Sequence, residues 1–176
     1  MVEIDDVISD AVDRQRVDAE QRQITLTTAG TTGSQVLGSA RQLAVAVSNL
    51  VENAVVYSDP GARVVVGAHL SRRGDDDRVQ ITVSDNGIGI PATEQERIFE
   101  RFYRVDYARS RANGGTGLGL SIVKHIVATH GGDVSVWSQV GRGSTFTIEI
   151  PAYVPSPSPS VSIPEHGSAE PQEVHR

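Results

Sequence analysis

Two glycine-rich segments are the part of this sequence whose residue types and spacing could do chemistry. The first glycine segment covers residues 85–90 (DNGIGI), and the second glycine segment covers residues 115–120 (GTGLGL). Glycine lets the backbone approach a ligand closely, and a glycine loop that opens a helix presents unpaired N–H groups to an anion. Apolar residues recur at helical spacing after Gly119, so the second glycine segment should run directly into a helix. A nucleotide is therefore the first ligand to test.

Two familiar nucleotide-binding motifs do not fit these glycines. In a P-loop, a lysine follows the second glycine of the pair, but Leu120 follows the pair Gly114 and Gly119 here. The Rossmann fingerprint needs a third glycine where Leu120 stands, and a strand where residues 109–113 look like a loop. Taken alone, either segment could also be a set of turns and helix ends.

The composition narrows the classes of partner. A net charge of -6 argues against a nucleic-acid surface, because phosphate backbones select basic patches. The absence of cysteine excludes disulfides and thiolate metal sites. No apolar run is long enough to span a bilayer, which predicts a soluble chain with no membrane contact of its own. The lack of cysteine suits a cytoplasmic domain. Residues 152–176 are rich in proline and serine, which predicts a disordered tail.

Hydrophobic periodicity predicts the helices that must position the glycine segments. Apolar residues at helical spacing predict helices over residues 3–21, 40–57 and 119–130. Ser39 and Gln42 form a capping-box pattern in front of the second of these helices. This helix is the firmest structural prediction, because its start signal and its apolar face agree.

Strands and one short helix complete the predicted elements. Thr93 and Glu96 form another capping-box pattern, which predicts a short helix that ends near Phe99. Short β-prone runs bounded by glycines or charged loops predict hairpins. These hairpins would join residues 24–28 to 35–37, 64–69 to 79–84, and 134–138 to 144–150.

Five stretches resemble, in the same order, the conserved boxes of the sensor histidine kinase catalytic domain, which belongs to the GHKL ATPase superfamily. The resemblance implies an α/β fold: a two-layer sandwich of the Bergerat type, with helices packed on one face of a mixed β-sheet. Residues from Glu3 onward look most like the phosphate-responsive SenX-type kinases of actinobacteria. The five stretches are residues 49–54 (NLVENA) with Tyr57, the first glycine segment, residues 98–104 (IFERFYR), the second glycine segment, and residues 141–146 (GRGSTF).

The same resemblance divides the chain into three parts. Residues 1–22 would be the end of a dimerisation and phosphoacceptor helix. Residues 23–151 would be the catalytic ATP-binding domain, with a lid over about residues 87–119, and residues 152–176 would be the tail. None of the 5 histidines has the phosphoacceptor setting of a histidine followed by an acid on an early helix. This predicts a fragment of a longer, membrane-anchored protein.

The resemblance implies ATP and Mg²⁺ as ligands. Asn53 would hold the magnesium through its amide oxygen, because one neutral oxygen suffices where phosphates supply the charge. Asp85 would accept a hydrogen bond from the adenine amino group, which favours ATP because guanine presents an acceptor at that position. The remaining nucleotide contacts would come from Asn49, Tyr57, Gly87, Gly89, Ile90, Gly115, Thr116, Gly117, Leu118, Gly119, Leu120 and Thr145.

Three residues are implied in catalysis. Asn49 stands where ATP-hydrolysing relatives carry a glutamate base, and an amide cannot usefully take a proton from water. The site is therefore expected to withhold ATP from water. Glu52 is the candidate that orients or deprotonates an accepting imidazole, and Arg104 is a candidate contact to the terminal phosphate. Val56 stands where many relatives have Lys or Arg, which would lower nucleotide affinity unless another arginine compensates.

The implied function is transfer of the γ-phosphoryl group of ATP to a histidine on a helical domain that this sequence does not contain. A response regulator, of the OmpR-like type, would receive the phosphoryl group next. Two alternatives stay open. One is a non-catalytic nucleotide-sensing module, which Val56 and the missing histidine favour, and the other is a GHKL serine kinase of the anti-sigma type.

Overall fold

The computed structural model describes residues 1–30, 32–74, 76–105 and 116–153. The predictions for Gly115, for lid residues 106–115 and for tail residues 154–176 lie outside these ranges. The elements in chain order are β1 (Val2–Glu3), α1 (Ile4–Gln21), β2 (Thr25–Ala29), β3 (Gln35–Val36), α2 (Ala40–Val56), β4 (Arg63–Arg73), β5 (Asp76–Asp85), a 3₁₀ turn (Arg97–Phe99), α3 (Gly119–Thr129), β6 (Asp133–Gln139) and β7 (Gly143–Pro151).

Five strands form the main sheet, in the order β2-β4-β5-β7-β6. Strand β2 runs parallel to β4, and the other neighbours are antiparallel, so the sheet is mixed as predicted. The predicted β4–β5 and β6–β7 hairpins are both confirmed. Each hairpin has two strands of matching length with turn residues between them, which is a local signal.

The predicted hairpin between β2 and β3 is wrong. Strand β2 instead pairs in parallel with β4, where Thr25 lies opposite Arg63. Strand β3 pairs antiparallel with β1 in a separate small sheet, and Val36 also bridges to Ala152. The physical reason is length, because β3 offers two paired residues whereas β4 offers a partner along the whole of β2.

The three helices cover one face of the sheet. Alternate residues of the central strands point towards them, since side chains alternate across a strand. Val66, Val83 and Phe146 lie side by side on this covered face and are buried. Helix α2 packs between α1 and α3 and also contacts β4 and β5. This arrangement confirms the predicted helices on a mixed sheet.

Helix α1 belongs to the same hydrophobic core as the rest of the domain. Ile4, Val7, Ile8 and Ala11 on its apolar face are each no more than 5% exposed, and α1 packs against α2, β2 and β4. Its N-terminal turn is held by Asp5, which accepts hydrogen bonds from the loop after β2. The predicted boundary at residue 22 is therefore corrected, because the apolar face of α1 is buried inside the folded domain.

The ends of the helices follow local signals with one exception. Ser39 caps α2, since its hydroxyl accepts a hydrogen bond from the Gln42 backbone N–H at 3.4 Å, as the capping box predicts. The box at Thr93 does not form, and the expected short helix is only the 3₁₀ turn Arg97–Phe99 without a side-chain cap. Among the described residues, no helix combines the length and apolarity needed to cross a membrane.

Candidate functional site

A cavity of about 220 Å³ lies between α2, the ends of β5 and β7, and the two glycine segments. Its lining combines polar groups from α2 and β5 with apolar side chains from the loops and β7. A concave site of this kind, mainly apolar with a few polar groups, is typical of a small-molecule site. The lining residues are Asn49, Glu52, Asn53, Ala54, Tyr57, Asp85, Ile88, Gly89, Ile90, Ile98, Tyr103, Arg104, Val105, Thr116, Gly117, Gly119, Leu120, Ser144 and Phe146.

Helix α2 presents four polar residues to the cavity, Asn49, Glu52, Asn53 and Tyr57. Glu52 follows Asn49 by three residues and Asn53 follows it by four, and the C-cap residue Tyr57 follows Asn53 by four, which places all four on one side of the helix. Asn49 is anchored in its own helix, because its amide nitrogen donates to the Val45 carbonyl at 2.8 Å. The amide of Asn53 and the carboxylate of Glu52 supply oxygen atoms beside it.

Asp85 is the one carboxylate that β5 brings into the cavity. Its Oδ1 accepts hydrogen bonds from the backbone N–H groups of Gly87 at 2.9 Å and Ser144 at 3.2 Å. Within the described residues, no donor reaches its Oδ2. Burial raises the pKa of Asp85 above its ordinary value of 3.8, although the two N–H groups oppose that shift. A ligand that donates to Oδ2 would therefore meet a fixed, partly desolvated acceptor.

The first glycine segment is held against the β6–β7 turn. The Ile88 carbonyl accepts a hydrogen bond from the Gly141 N–H at 2.8 Å. Gly89 has a φ of +71°, and a Cβ there would lie 2.1 Å from the Gln139 carbonyl oxygen. Only glycine fits this approach, since both the conformation and the space exclude a side chain. The segment therefore forms a fixed wall of the cavity.

The described part of the second glycine segment packs between α2 and residue 102. The Gly117 carbonyl accepts a hydrogen bond from the Phe102 N–H at 2.9 Å. A Cβ on Gly119 would lie 2.8 Å from Oδ1 of Asn49, so glycine is what lets α3 begin this close to α2. Because α3 starts at Gly119, its first N–H groups lie at the edge of the cavity.

Arg104 brings a cationic group to the cavity. Its Nη2 atom is buried, and no hydrogen-bond partner is found for it in the described part of the chain. A buried guanidinium nitrogen without a partner is costly, whereas a phosphate oxygen would satisfy it. The neighbouring Tyr103 also lines the cavity and packs beneath Arg97, whose Cζ lies 4.2 Å from the ring centroid. An anion near Arg104 is therefore chemically favoured.

The structure brings most of the residues predicted from sequence to one place. Those that line the cavity are Asn49, Glu52, Asn53, Tyr57, Asp85, Gly89, Ile90, Arg104, Thr116, Gly117, Gly119 and Leu120. Gly87 lies behind the lining and donates to Asp85, and Leu118 is half-buried outside it.

Thr145 is not brought to the cavity, which corrects its predicted placement. It pairs with Ser84, and the two hydroxyls lie 2.9 Å apart on the sheet face opposite the helices. Ser144 and Phe146 lie on the inner face and line the cavity instead. Strand alternation places Ser144 and Phe146 on one face of β7 and Thr145 on the other, but alternation by itself does not say which face meets the cavity.

Sequence reasoning predicted the apolar lining residues Ile90 and Leu120 but missed others, which include Ile88, Ile98 and Val105. These apolar side chains line the same cavity as Asp85 and Tyr57. An apolar environment with one fixed acceptor suits a purine base, whose faces are apolar and whose edge is polar. The cavity can therefore hold a base at Asp85 and phosphates near Arg104 and α3.

Comparison with known sequences gives the same type of domain. A family model described as "Histidine kinase-, DNA gyrase B-, and HSP90-like ATPase" matches residues 38–154. The sensor-like histidine kinase SenX3 of Mycolicibacterium smegmatis is 52% identical over 152 residues, covering 86% of this chain and 38% of that protein. SenX3 of Mycobacterium tuberculosis is 46% identical over 153 residues, covering 87% of this chain and 36% of that protein. The chain therefore spans little more than a third of these relatives.

Two solved structures have a similar fold. The mycobacterial sensor histidine kinase MprB superposes with a TM-score of 0.68 at 32% identity, over 86% of this chain and 95% of that chain. Full-length ShkA in complex with AMPPNP superposes with a TM-score of 0.73 at 26% identity, over 89% of this chain and 31% of that chain.

Proposed function

Because the chain belongs to the histidine kinase-, DNA gyrase B- and HSP90-like ATPase family, we propose that it is the ATP-binding catalytic domain of a two-component sensor histidine kinase of the SenX type. The observation that carries this proposal is the joint placement of Asp85, Asn53 and Arg104 in one cavity. These residues would supply a hydrogen-bond acceptor for the base, an oxygen ligand for the metal and a hydrogen-bond donor to a phosphate oxygen. Membership of this family makes ATP the nucleotide of the domain.

The end of the cavity at Asp85, which we call the base end, explains a preference for adenine. The Oδ2 atom of Asp85 would accept from the exocyclic amine, while its Oδ1 stays bonded to the backbone at residues 87 and 144. Guanine presents a carbonyl oxygen at that position, so two acceptors would face each other. The Ser144 side chain, which lines the same part of the cavity, replaces Thr145 as the hydroxyl beside the base.

The end of the cavity at Arg104 and the start of α3, which we call the phosphate end, explains how the negative charge of the phosphates would be held. Arg104 would pair its free Nη2 with a phosphate oxygen, and the N–H groups at the start of α3 would face the same anion. We include Mg²⁺ in the proposal, with Asn53 as its ligand. The donor set fits, because Asn53 and Glu52 bring amide and carboxylate oxygens to the cavity lining, and oxygen atoms are the ligands that Mg²⁺ takes beside phosphates. Bound Mg²⁺ would neutralise phosphate charge.

The proposed reaction moves the γ-phosphoryl group to a histidine nitrogen on a partner helical domain. This domain would contribute by positioning ATP and by stabilising the charge that develops during the transfer. Asn49 keeps its amide turned towards α2 and Gly119 and offers no base to water. Glu52 is exposed at the cavity edge, where an incoming imidazole could reach it.

The partners of this reaction follow from the same proposal. A phosphoacceptor and dimerisation helical domain would supply the histidine, and an OmpR-like response regulator would take the phosphoryl group from it. The longer protein would be anchored in the membrane, with this domain on the cytoplasmic side. No nucleic-acid partner is proposed, in keeping with the net charge of -6.

A second candidate is a nucleotide-sensing module that does not transfer phosphate. It is favoured by Val56, the last residue of α2, because the family resemblance implies a cationic phosphate contact at this position. In that case the bound nucleotide would change only the affinity of this domain for a partner. The serine kinase alternative gains no support from any relative or structure reported above.

One reconstitution experiment separates the two candidates. The chain is mixed with a purified histidine-containing helical domain from a SenX-type kinase and with ATP labelled at the γ-phosphate. The kinase proposal expects label on the helical domain that is lost in acid and kept in base. Nucleotide-dependent binding of the helical domain without label would favour the sensing module. Failure of the chain to bind ATP would overturn both.

A further inference from the structure

We propose that the turn at residues 91–96 positions two separate parts of the cavity lining through adjacent side chains, Glu94 and Gln95. Neither residue lines the cavity, so each would act through another residue. The inference rests on the proposed function, since it assigns one side chain to the base end of the ATP site and the other to its phosphate end. Both side chains are half-buried, and their hydrogen bonds go to different parts of the cavity lining.

Gln95 holds the base end. Its amide nitrogen donates to the carbonyl of Ile90 at 3.0 Å and to the carbonyl of Ser138 at 2.9 Å. The Ile90 N–H in turn donates to the Ser138 hydroxyl at 2.7 Å. Both backbone groups of Ile90, a lining residue, are therefore fixed to the end of β6, and one of the two bonds comes from Gln95 itself.

The bonds around Gln95 continue to the base acceptor. The hydroxyls of Ser138 and Ser144 lie 2.9 Å apart, and the Ser144 N–H donates to Oδ1 of Asp85 at 3.2 Å. Removal of the Gln95 amide would leave two half-buried carbonyls without that donor, and Ile90 would be held to β6 by its N–H alone. The wall beside the base and the orientation of Asp85 would both loosen.

Glu94 holds the phosphate end. Its carboxylate accepts a hydrogen bond from the Tyr103 hydroxyl. The ring of Tyr103 is covered on one face by the Arg97 guanidinium, at 4.2 Å. Tyr103 immediately precedes Arg104, whose buried Nη2 has no partner in the described residues. Glu94 therefore sets where the segment that carries Arg104 sits, through a bond that the base end does not share.

Two ligands distinguish these roles, because ADP lacks the terminal phosphate that Arg104 is proposed to meet. Affinities of ADP and of ATP, both with Mg²⁺, are measured by calorimetry on the full chain. Gln95→Ala should lower the affinities for ADP and for ATP by the same factor, about three- to tenfold. Glu94→Ala should lower the affinity for ATP by about three- to tenfold and leave the affinity for ADP within about twofold of the original.

Two further variants serve as controls. Gln80→Ala removes a glutamine whose amide donates to Glu149 at 2.9 Å on the open face of the sheet, so both affinities should stay within about twofold. Glu94→Gln keeps an oxygen that accepts from Tyr103, so it should retain the ATP affinity that Glu94→Ala loses. If Gln95→Ala does not fold, Gln95→Met keeps the length of the side chain without the donor and carries the same expectation.

How each variant changes the affinities for ADP and for ATP decides whether the proposal stands. The proposal is overturned if Gln95→Ala behaves like Gln80→Ala, if Glu94→Ala weakens ADP as much as ATP, or if Glu94→Gln is as defective as Glu94→Ala. A merely structural role for Glu94 would lower the melting temperature and weaken both ligands together. A merely structural role for Gln95 would weaken ATP and GTP by the same factor, whereas a loosened base end should narrow the preference for ATP over GTP. If the unsubstituted chain binds neither ligand, the proposed function fails first, which is a different result from a chain that binds both while its variants show no pattern.

Discussion

Replacing Asp85 by asparagine tests the base end of the cavity by itself. The Oδ1 of an asparagine can keep both hydrogen bonds that Asp85 accepts, from Gly87 at 2.9 Å and Ser144 at 3.2 Å. Only Oδ2 changes, from an acceptor into an NH₂ donor that would face the adenine amine. The loss of one buried hydrogen bond to a charged acceptor costs about 1–3 kcal/mol. The dissociation constant for ATP should therefore rise about 5- to 150-fold.

The same substitution should change base preference without harming the fold. The new NH₂ group can donate to the guanine carbonyl, so the preference for ATP over GTP should narrow. Burial raises the pKa of Asp85, which means that the folded protein disfavours its ionised form. A neutral asparagine avoids that penalty, so the melting temperature at pH 7 should not fall. Asp133→Asn, at the exposed start of β6, is the matched control.

Calorimetric titration with ATP and GTP, beside thermal unfolding, checks this prediction. An ATP affinity for Asp85→Asn within about twofold of the original chain, with an unchanged ratio of ATP to GTP affinity, would refute the assignment of Asp85 to the base. A loss of binding accompanied by a lower melting temperature would also count against it. In that case the carboxylate would be holding the fold and not the ligand.

The pH dependence of ATP affinity follows from the raised pKa of Asp85. Ligand donation to Oδ2 favours the ionised carboxylate, so affinity should be constant near neutral pH. It should then fall as the pH is lowered through the raised pKa, which lies above the ordinary 3.8. Protonation of this buried group favours the folded state, so the loss is not caused by unfolding at Asp85. The Asp85→Asn variant should lack this part of the pH dependence in the same titrations.

Three further predictions concern the metal ligand, a wall of the cavity and the docking of α1. Asn53→Ala should abolish the Mg²⁺-dependent part of ATP binding, and an unchanged affinity in calorimetry with and without Mg²⁺ would contradict that role. Gly89→Ala should lower the melting temperature by about 5 °C more than Gly141→Ala, because both have positive φ but only Gly89 faces a carbonyl at 2.1 Å. Asp5→Asn should lower the melting temperature at neutral pH. Burial is the largest single influence and raises the pKa of Asp5, but the hydrogen bonds from residues 32 and 33 together outweigh it and keep that pKa below 3.8. That stability is present above pH 3.8 and disappears as the pH falls through the lowered pKa, so original and variant should converge in acid.

Local signals were sufficient for most of the elements. The starts of α2 and α3 and the β4–β5 and β6–β7 hairpins were readable from spacing. The resemblance to SenX-type kinases, carried by five short stretches in order, is confirmed. Each depends on residues that are close in sequence, such as Ser39 with Gln42. The capping box at Thr93 failed because a cap adds only about 1 kcal/mol, and the surrounding chain decides whether a helix follows.

The placement of individual side chains depended on contacts distant in sequence. Thr145 and Ser144 are adjacent and chemically alike, and only the register of β7 against β5 decides which hydroxyl faces the cavity. Nothing local marks Gln95 as a link between Ile90 and β6, since the Ser138 that it contacts lies 43 residues away. Hydrophobic periodicity does not predict such contacts, because it indicates which face of an element is buried but not which element packs against that face.

The sequence by itself determined the helices, because short-range spacing encodes them, and it determined the family through the five stretches that resemble it. The tertiary structure alone decided three matters: that α1 is part of the domain core, that β2 joins the sheet in parallel beside β4, and that Ser144 rather than Thr145 meets the cavity. The physical reason is common to all three. An amphipathic helix or a short strand specifies that one face must be buried, but the partner that buries it is chosen by packing of the whole chain.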